Sequence, residues 1–121
     1  MKKIAMIAAA AIMLLATGCY YDVEEELYPT VECSTDNMSY ANDIAPIISQ
    51  NCYVCHAQAL NLGNVTLEGY EAIKVYVDNG KIEGSINHRS GFSAMPQNLP
   101  KLLDCEIAKI EQWITDGAPN N

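Results

Sequence analysis

Five consecutive residues, Cys52-Tyr53-Val54-Cys55-His56, constrain this chain more than any other feature. Two thiols separated by two residues sit on one turn of backbone, and the imidazole that follows is carried to the same place. This is the form of a covalent attachment site for a c-type haem, in which both thiols make thioethers with vinyl groups and the histidine ligates iron. The same Cys-x-x-Cys also serves as a redox dithiol or as half of a zinc site. The adjoining histidine favours the haem, and a fold that packs on a macrocycle as well as on its own side chains.

The other cysteines depend on where the chain works. Lys2 and Lys3 precede an unbroken apolar run, Ile4 to Ala16. Its thirteen residues are too few to span a bilayer, which takes about 20, and the pattern is that of an export signal. Ala16-Thr17-Gly18-Cys19 then resembles the lipobox of bacterial lipoproteins, with Ala16 where leucine is more usual. The resemblance implies a lipoprotein signal peptide over residues 1–18 and lipidation of Cys19, which would hold the mature chain to a membrane by acyl chains rather than by a helix. An ordinary cleaved signal with Cys19 merely nearby is the alternative. If lipid takes Cys19 and haem takes Cys52 and Cys55, two of the five cysteines remain, Cys33 and Cys105. Export to an oxidising compartment favours a disulfide between them. The competing assignment makes Cys105 a zinc ligand with Cys52, Cys55 and a histidine, and strands Cys33.

All fifteen acidic residues lie beyond Cys19 but only five of the seven basic ones do, so the mature chain carries a net charge of −10. A nucleic-acid partner needs a basic stripe and is not expected. Acidity of this size suits basic or metal-bearing redox partners, steered in at low ionic strength, and serves solubility equally well. No Ser/His/Asp arrangement, phosphate loop or carboxylate-rich metal loop is visible.

Residues 19–32 read as an acidic tether, with Asp22, Glu24, Glu25, Glu26, Glu32 and Pro29 and no sustained periodicity. A folded domain is expected over residues 33–121. Its first helix is predicted from Ile44 to about Gln50, capped by Asp43, with Pro46 in the first turn and Ile44, Ile47 and Ile48 on one face. A second helix is predicted from Leu67 to Asp78, capped by Thr66 and stopped at Asn79-Gly80. Lys81 to Pro100 has little periodicity and reads as a long functional loop. A last helix is predicted from Asp104 to Asp116, capped by Asp104 and stopped at Gly117, with Ile107, Ile110, Trp113 and Ile114 as its stripe.

Ile-x-Pro-Ile-Ile ahead of Cys-x-x-Cys-His, a Met-Pro pair downstream and the closing Trp113-Ile114-Thr115-Asp116-Gly117-Ala118 together resemble small class I monohaem c-type cytochrome domains, of the kind found as Bacteroidota lipoproteins. The likeness covers about Ser39 to Ala118. It implies an all-α domain of about three helices packed around one covalent haem c, with a C-terminal helix crossing the N-terminal one. It also implies Cys52 and Cys55 as the attachment residues, His56 as the proximal iron ligand and Met95 as the distal one. His88, in the same loop, is the alternative distal ligand, since imidazole binds iron well; Arg89 beside it could neutralise a propionate.

With both axial positions filled, the resemblance implies an electron carrier rather than an enzyme. Its partners would be redox proteins in or on the same membrane, and the protein a monomer or one subunit of a complex. The acidic stretch after Cys19 resembles that of lipoproteins sent to the outer face of the outer membrane, so either that face or the periplasm is expected. Other readings are a haem-bearing structural or sensory subunit of a membrane redox complex, a peroxidase-like haem enzyme and a Cys-x-x-Cys dithiol oxidoreductase.

Overall fold

The structure is a computed structural model and describes residues 32–121; the expected signal peptide, Cys19 and nearly all of the expected tether lie outside them. The described residues are all-α, with five helices, a π turn and a 3-10 turn and no strand among them. A π turn over Tyr40–Ile44 runs into α1 (Ala45–Asn51), and the single turn α2 (Tyr53–His56) follows at once. Then come the 3-10 turn Leu62–Asn64, α3 (Tyr70–Asp78), α4 (Lys81–Ile86) and α5 (Asp104–Thr115).

The first helical segment starts earlier than its apolar spacing predicts, at Tyr40 rather than Ile44. Ser39 is its cap: the Asn42 N–H donates to Ser39 Oγ at 3.3 Å. Asp43 instead accepts from the Ser39 N–H at 2.9 Å, reaching back over the turn it was expected to begin. The carbonyl and side-chain oxygens of Asn121 take the N–H groups of Ala41 and Tyr40, at 3.0 and 2.9 Å. Donors that a helix start leaves unpaired are thus satisfied from the far end of the domain.

The second predicted helix is shorter than expected. Thr66 does not cap it, because its hydroxyl donates to Asn61 Oδ1 at 2.9 Å. The Leu67 N–H is committed to the His56 carbonyl at 2.8 Å, and Gly69, at φ +91°, turns the chain into α3. Gly80, at φ +74°, ends that helix as predicted, yet α4 begins at the next residue where a loop was expected. Ile82 and Ile86, one turn apart, bury its inner face together with Gly84. α5 starts at Asp104, but the cap expected of Asp104 comes from Glu106, whose carboxylate accepts from the Leu103 N–H at 3.1 Å.

The side chains with least exposure are Ile44, Ile48, Ile73, Ile110 and Trp113. They gather where the first helical segment meets α5. The Tyr40 ring lies 5.7 Å from Trp113 and 5.2 Å, edge to face, from Tyr70. Trp113 Nε1 donates to the Pro119 carbonyl at 3.0 Å, and the Tyr70 hydroxyl to that of Ala118 at 2.8 Å. Both polar tips on these large rings therefore have partners, as their burial requires. Cys33 and Cys105 are joined by a disulfide, with Cα atoms 5.6 Å apart, tying the start of the domain to the first turn of α5.

Candidate functional site

α1 delivers the Cys-x-x-Cys-His motif. Its last turn places the Cys52 N–H on the Ile48 carbonyl at 2.8 Å. The Cys52 carbonyl then accepts from the N–H groups of Cys55, at 3.1 Å, and His56, at 2.9 Å. One turn of backbone therefore fixes both thiols and the imidazole together. The Asn51 side chain locks the junction by donating to the Ile47 carbonyl at 2.9 Å and to Glu106 at 3.2 Å, so α5 also steadies the motif.

The residues after the 3-10 turn strap His56 in place. His56 Nδ1 lies 3.1 Å from the Val65 carbonyl. A carbonyl only accepts, so Nδ1 carries the proton and Nε2 is left as the basic nitrogen, the tautomer a metal-binding histidine needs. The bond from Leu67 to the His56 carbonyl holds the same residue by its backbone. A little further on, the Gly69 N–H donates to the Tyr53 hydroxyl at 3.3 Å. Nothing in the sequence pointed to Val65, because a backbone carbonyl leaves no mark on residue type.

Beside this motif lie two adjoining cavities of about 300 and 450 Å³. They share His56, Val65, Ile86, Ser93 and Met95 as wall, and Cys52 and Cys55 line the larger. The other walls are mainly apolar, with Ile82 and Phe92 in the smaller and Leu62, Leu99 and Leu102 in the larger. Volume and lining match a cofactor cleft. The predicted residues Cys52, Cys55, His56 and Met95 thus meet at one place, although 39 positions separate His56 from Met95.

His88, the alternative distal ligand, lines neither cavity. Its Nε2 faces the Met95 carbonyl at 3.0 Å, so the nitrogen that would reach iron is engaged with the backbone of the rival ligand. Arg89 lines neither cavity; its guanidinium donates to Glu83 Oε1 at 2.7 Å on the surface. The cation in the cavity wall is Lys81. The zinc alternative fails on the disulfide, which removes Cys105 from any ligand set. Among the described residues no group of three or more His, Cys, Asp or Glu side chains is gathered to hold a metal ion.

The donor set fits a haem. Two unpaired thiols, an imidazole of the right tautomer and a thioether line one cleft. Burial, then the charges of Glu106 and Cys55, push the Cys52 thiol up to about 11. At neutral pH it is protonated, whereas a dithiol catalyst works through a thiol pulled below its ordinary value.

Comparison with family models, curated proteins and solved structures finds no match to this chain.

Proposed function

We propose that this chain is a monohaem c-type cytochrome domain that carries electrons as a membrane-anchored lipoprotein. The observation that carries the reading is the convergence of Cys52, Cys55, His56 and Met95 on one apolar cleft. Cys52 and Cys55 would hold the haem by thioether bonds, with His56 Nε2 and the Met95 sulfur as axial ligands. Bound there, haem supplies a one-electron ferric–ferrous couple. His56 is kept in one tautomer by Val65, and Met95, lining the same cleft, would take the position that a peroxidase leaves open, which favours a carrier over an enzyme. Val54, Leu62 and Leu99, all lining the larger cavity, are 72%, 53% and 64% exposed. They give a redox partner an apolar rim to meet. A haem-bearing subunit of a membrane complex would use the same rim, and Cys19 would hold either form at its membrane by lipid.

Expression in a host with cytochrome c maturation should give a band that stains for haem after denaturing electrophoresis and survives acid-acetone extraction. Met95→Ala should abolish the sulfur-to-iron charge-transfer absorption of the ferric protein at the far-red end of the spectrum. A colourless, haem-free product would sink the proposal.

A further inference from the structure

The loop from Asn87 to Leu103 has no helix of its own, yet the Met95 peptide within it is gripped on both sides. Its N–H donates to the Ser85 carbonyl at 3.1 Å. Its C=O faces His88 Nε2 at 3.0 Å. One grip comes from the last turn of α4, whose final carbonyls have no partner within the helix, and the other from His88, two residues past its end. The His88 N–H also goes to Ser85, at 3.1 Å, and the Arg89 N–H to Gly84, at 2.9 Å. Asn87 anchors the corner to α5, its amide donating to the Glu83 carbonyl at 3.0 Å and to Glu111 at 2.6 Å. His88 itself has φ +54°, a left-handed backbone rare for a residue with a side chain, and that turn brings its ring back over the loop.

We infer that His88 is a positioning residue for Met95: by donating from Nε2 to the Met95 carbonyl, it closes residues 88–95 into a ring and holds the thioether at the cleft it shares with His56. The inference rests on Met95 being the distal ligand. It gives His88 a task other than the ligation the sequence suggested. A carbonyl accepts and never donates, so His88 must present Nε2–H, and in that form Nε2 has no lone pair to offer a metal. Ser85 alone would leave the Met95 peptide free to swing about its N–H. With both ends tied, the direction in which its Cα–Cβ bond leaves the loop is set by the backbone.

The test uses the haem-loaded ferric protein and exogenous imidazole, which competes with the methionine for iron. Loss of one hydrogen bond at the loop should favour the open form, so His88→Ala should bind imidazole about five- to tenfold more tightly than wild type and show a weaker far-red band. His88→Gln, whose side-chain amide can still donate to a carbonyl, should recover most of the difference. Both variants bear the same left-handed backbone, so the contrast between them reads the N–H rather than the turn. Met95→Ala sets the ceiling of imidazole affinity. Wild-type affinity in His88→Ala, with Met95→Ala clearly tighter, would overturn the positioning role and leave the ligand assignment standing. A glutamine variant no better than the alanine one would overturn it as well, since restoring a donor at this position would then restore nothing. If Met95→Ala changes neither spectrum nor imidazole affinity, the ligand assignment falls and takes this role with it.

Discussion

The two ends of this small domain are built on opposite principles. Where the first helical segment meets α5, protein finishes protein: Tyr40, Tyr70 and Trp113 pack together, and Ile44, Ile48, Ile73 and Ile110 lose essentially all exposure. Asn121 and the carbonyls of Ala118 and Pro119 satisfy the polar groups around them. At the cleft, Ile82, Ile86 and Leu102 are buried, but other apolar side chains are left uncovered. Val54, Leu62, Leu99 and Phe92, all cleft-lining, are among the most exposed large hydrophobics of the described residues. Packed interiors hold few voids larger than a water molecule, so cavities of about 300 and 450 Å³ mark a place that the chain does not fill for itself. One half of the domain is a core, and the other is a mould.

The first and largest prediction breaks the comparison at the mould. Domains of this size are stable by roughly 5–15 kcal/mol in total, and a macrocycle missing from the cleft forfeits an amount on that scale. Cys52→Ser/Cys55→Ser, which cannot attach haem, should therefore lose cooperative thermal unfolding by circular dichroism. A sharp transition within a few degrees of the haem-loaded protein would mean that the closed half folds unaided, and that the cleft is not a structural part of the domain.

The second prediction breaks it at the core. Trp113 is fully buried and its Nε1 is hydrogen-bonded, so Trp113→Ala in the haem-loaded protein should cost about 3–5 kcal/mol by denaturant titration. The far-red charge-transfer band should be unchanged, because Trp113 lines neither cavity. A spectral change equal to that of Met95→Ala would show that the halves are not separable. The third effect is somewhat smaller. Cys33→Ala removes the link that spans 72 positions and should lower stability by about 2–4 kcal/mol. Cys105→Ala should cost about the same, and mild reductant should destabilise wild type while leaving both variants where they are.

What could be read in the sequence follows the same division. That Cys52, Cys55, His56 and Met95 belong together was legible to the extent that they line one cleft, because their chemistry is carried by the side chain itself, and the stripe of α5 because Ile107, Ile110 and Trp113 recur at helical spacing. α4 was not, since six residues with Gly84 among them give too short a period to separate from a loop. The starts of the first helical segment and of α3 were misplaced for a related reason. Ser39 and Asp43 are both competent caps, and only the position of Asn121 and of the Ser39 backbone decides between them. His88 was the most instructive case. Its identity suggests a ligand, yet its work is with a backbone carbonyl, and contacts of that kind, like the one between His56 and Val65, depend on where the chain has folded.

The smallest predicted effect sharpens the border between the two halves. Gly84 is buried inside α4, and a methyl group built on it would stand 2.5 Å from the Phe92 ring in the cleft wall. In an open helix position, alanine is preferred over glycine by roughly 0.5–1 kcal/mol. Here the clash must be relieved by moving Phe92, and overpacking of this kind typically costs about 1–3 kcal/mol, so Gly84→Ala should be destabilising by about 1 kcal/mol net. Phe92→Ala alone should cost little, because the ring is 41% exposed. In the Phe92→Ala background the three closest contacts of the new methyl are gone, and the intrinsic helix preference should then show as a gain of about 0.5 kcal/mol. The sign of the Gly84 substitution thus reverses with the residue at position 92, and a denaturant-based double-mutant cycle would detect a coupling of this size. If Gly84→Ala is equally destabilising in both backgrounds, the tight contact lies elsewhere in α4, and Phe92 is not what makes this glycine part of the mould.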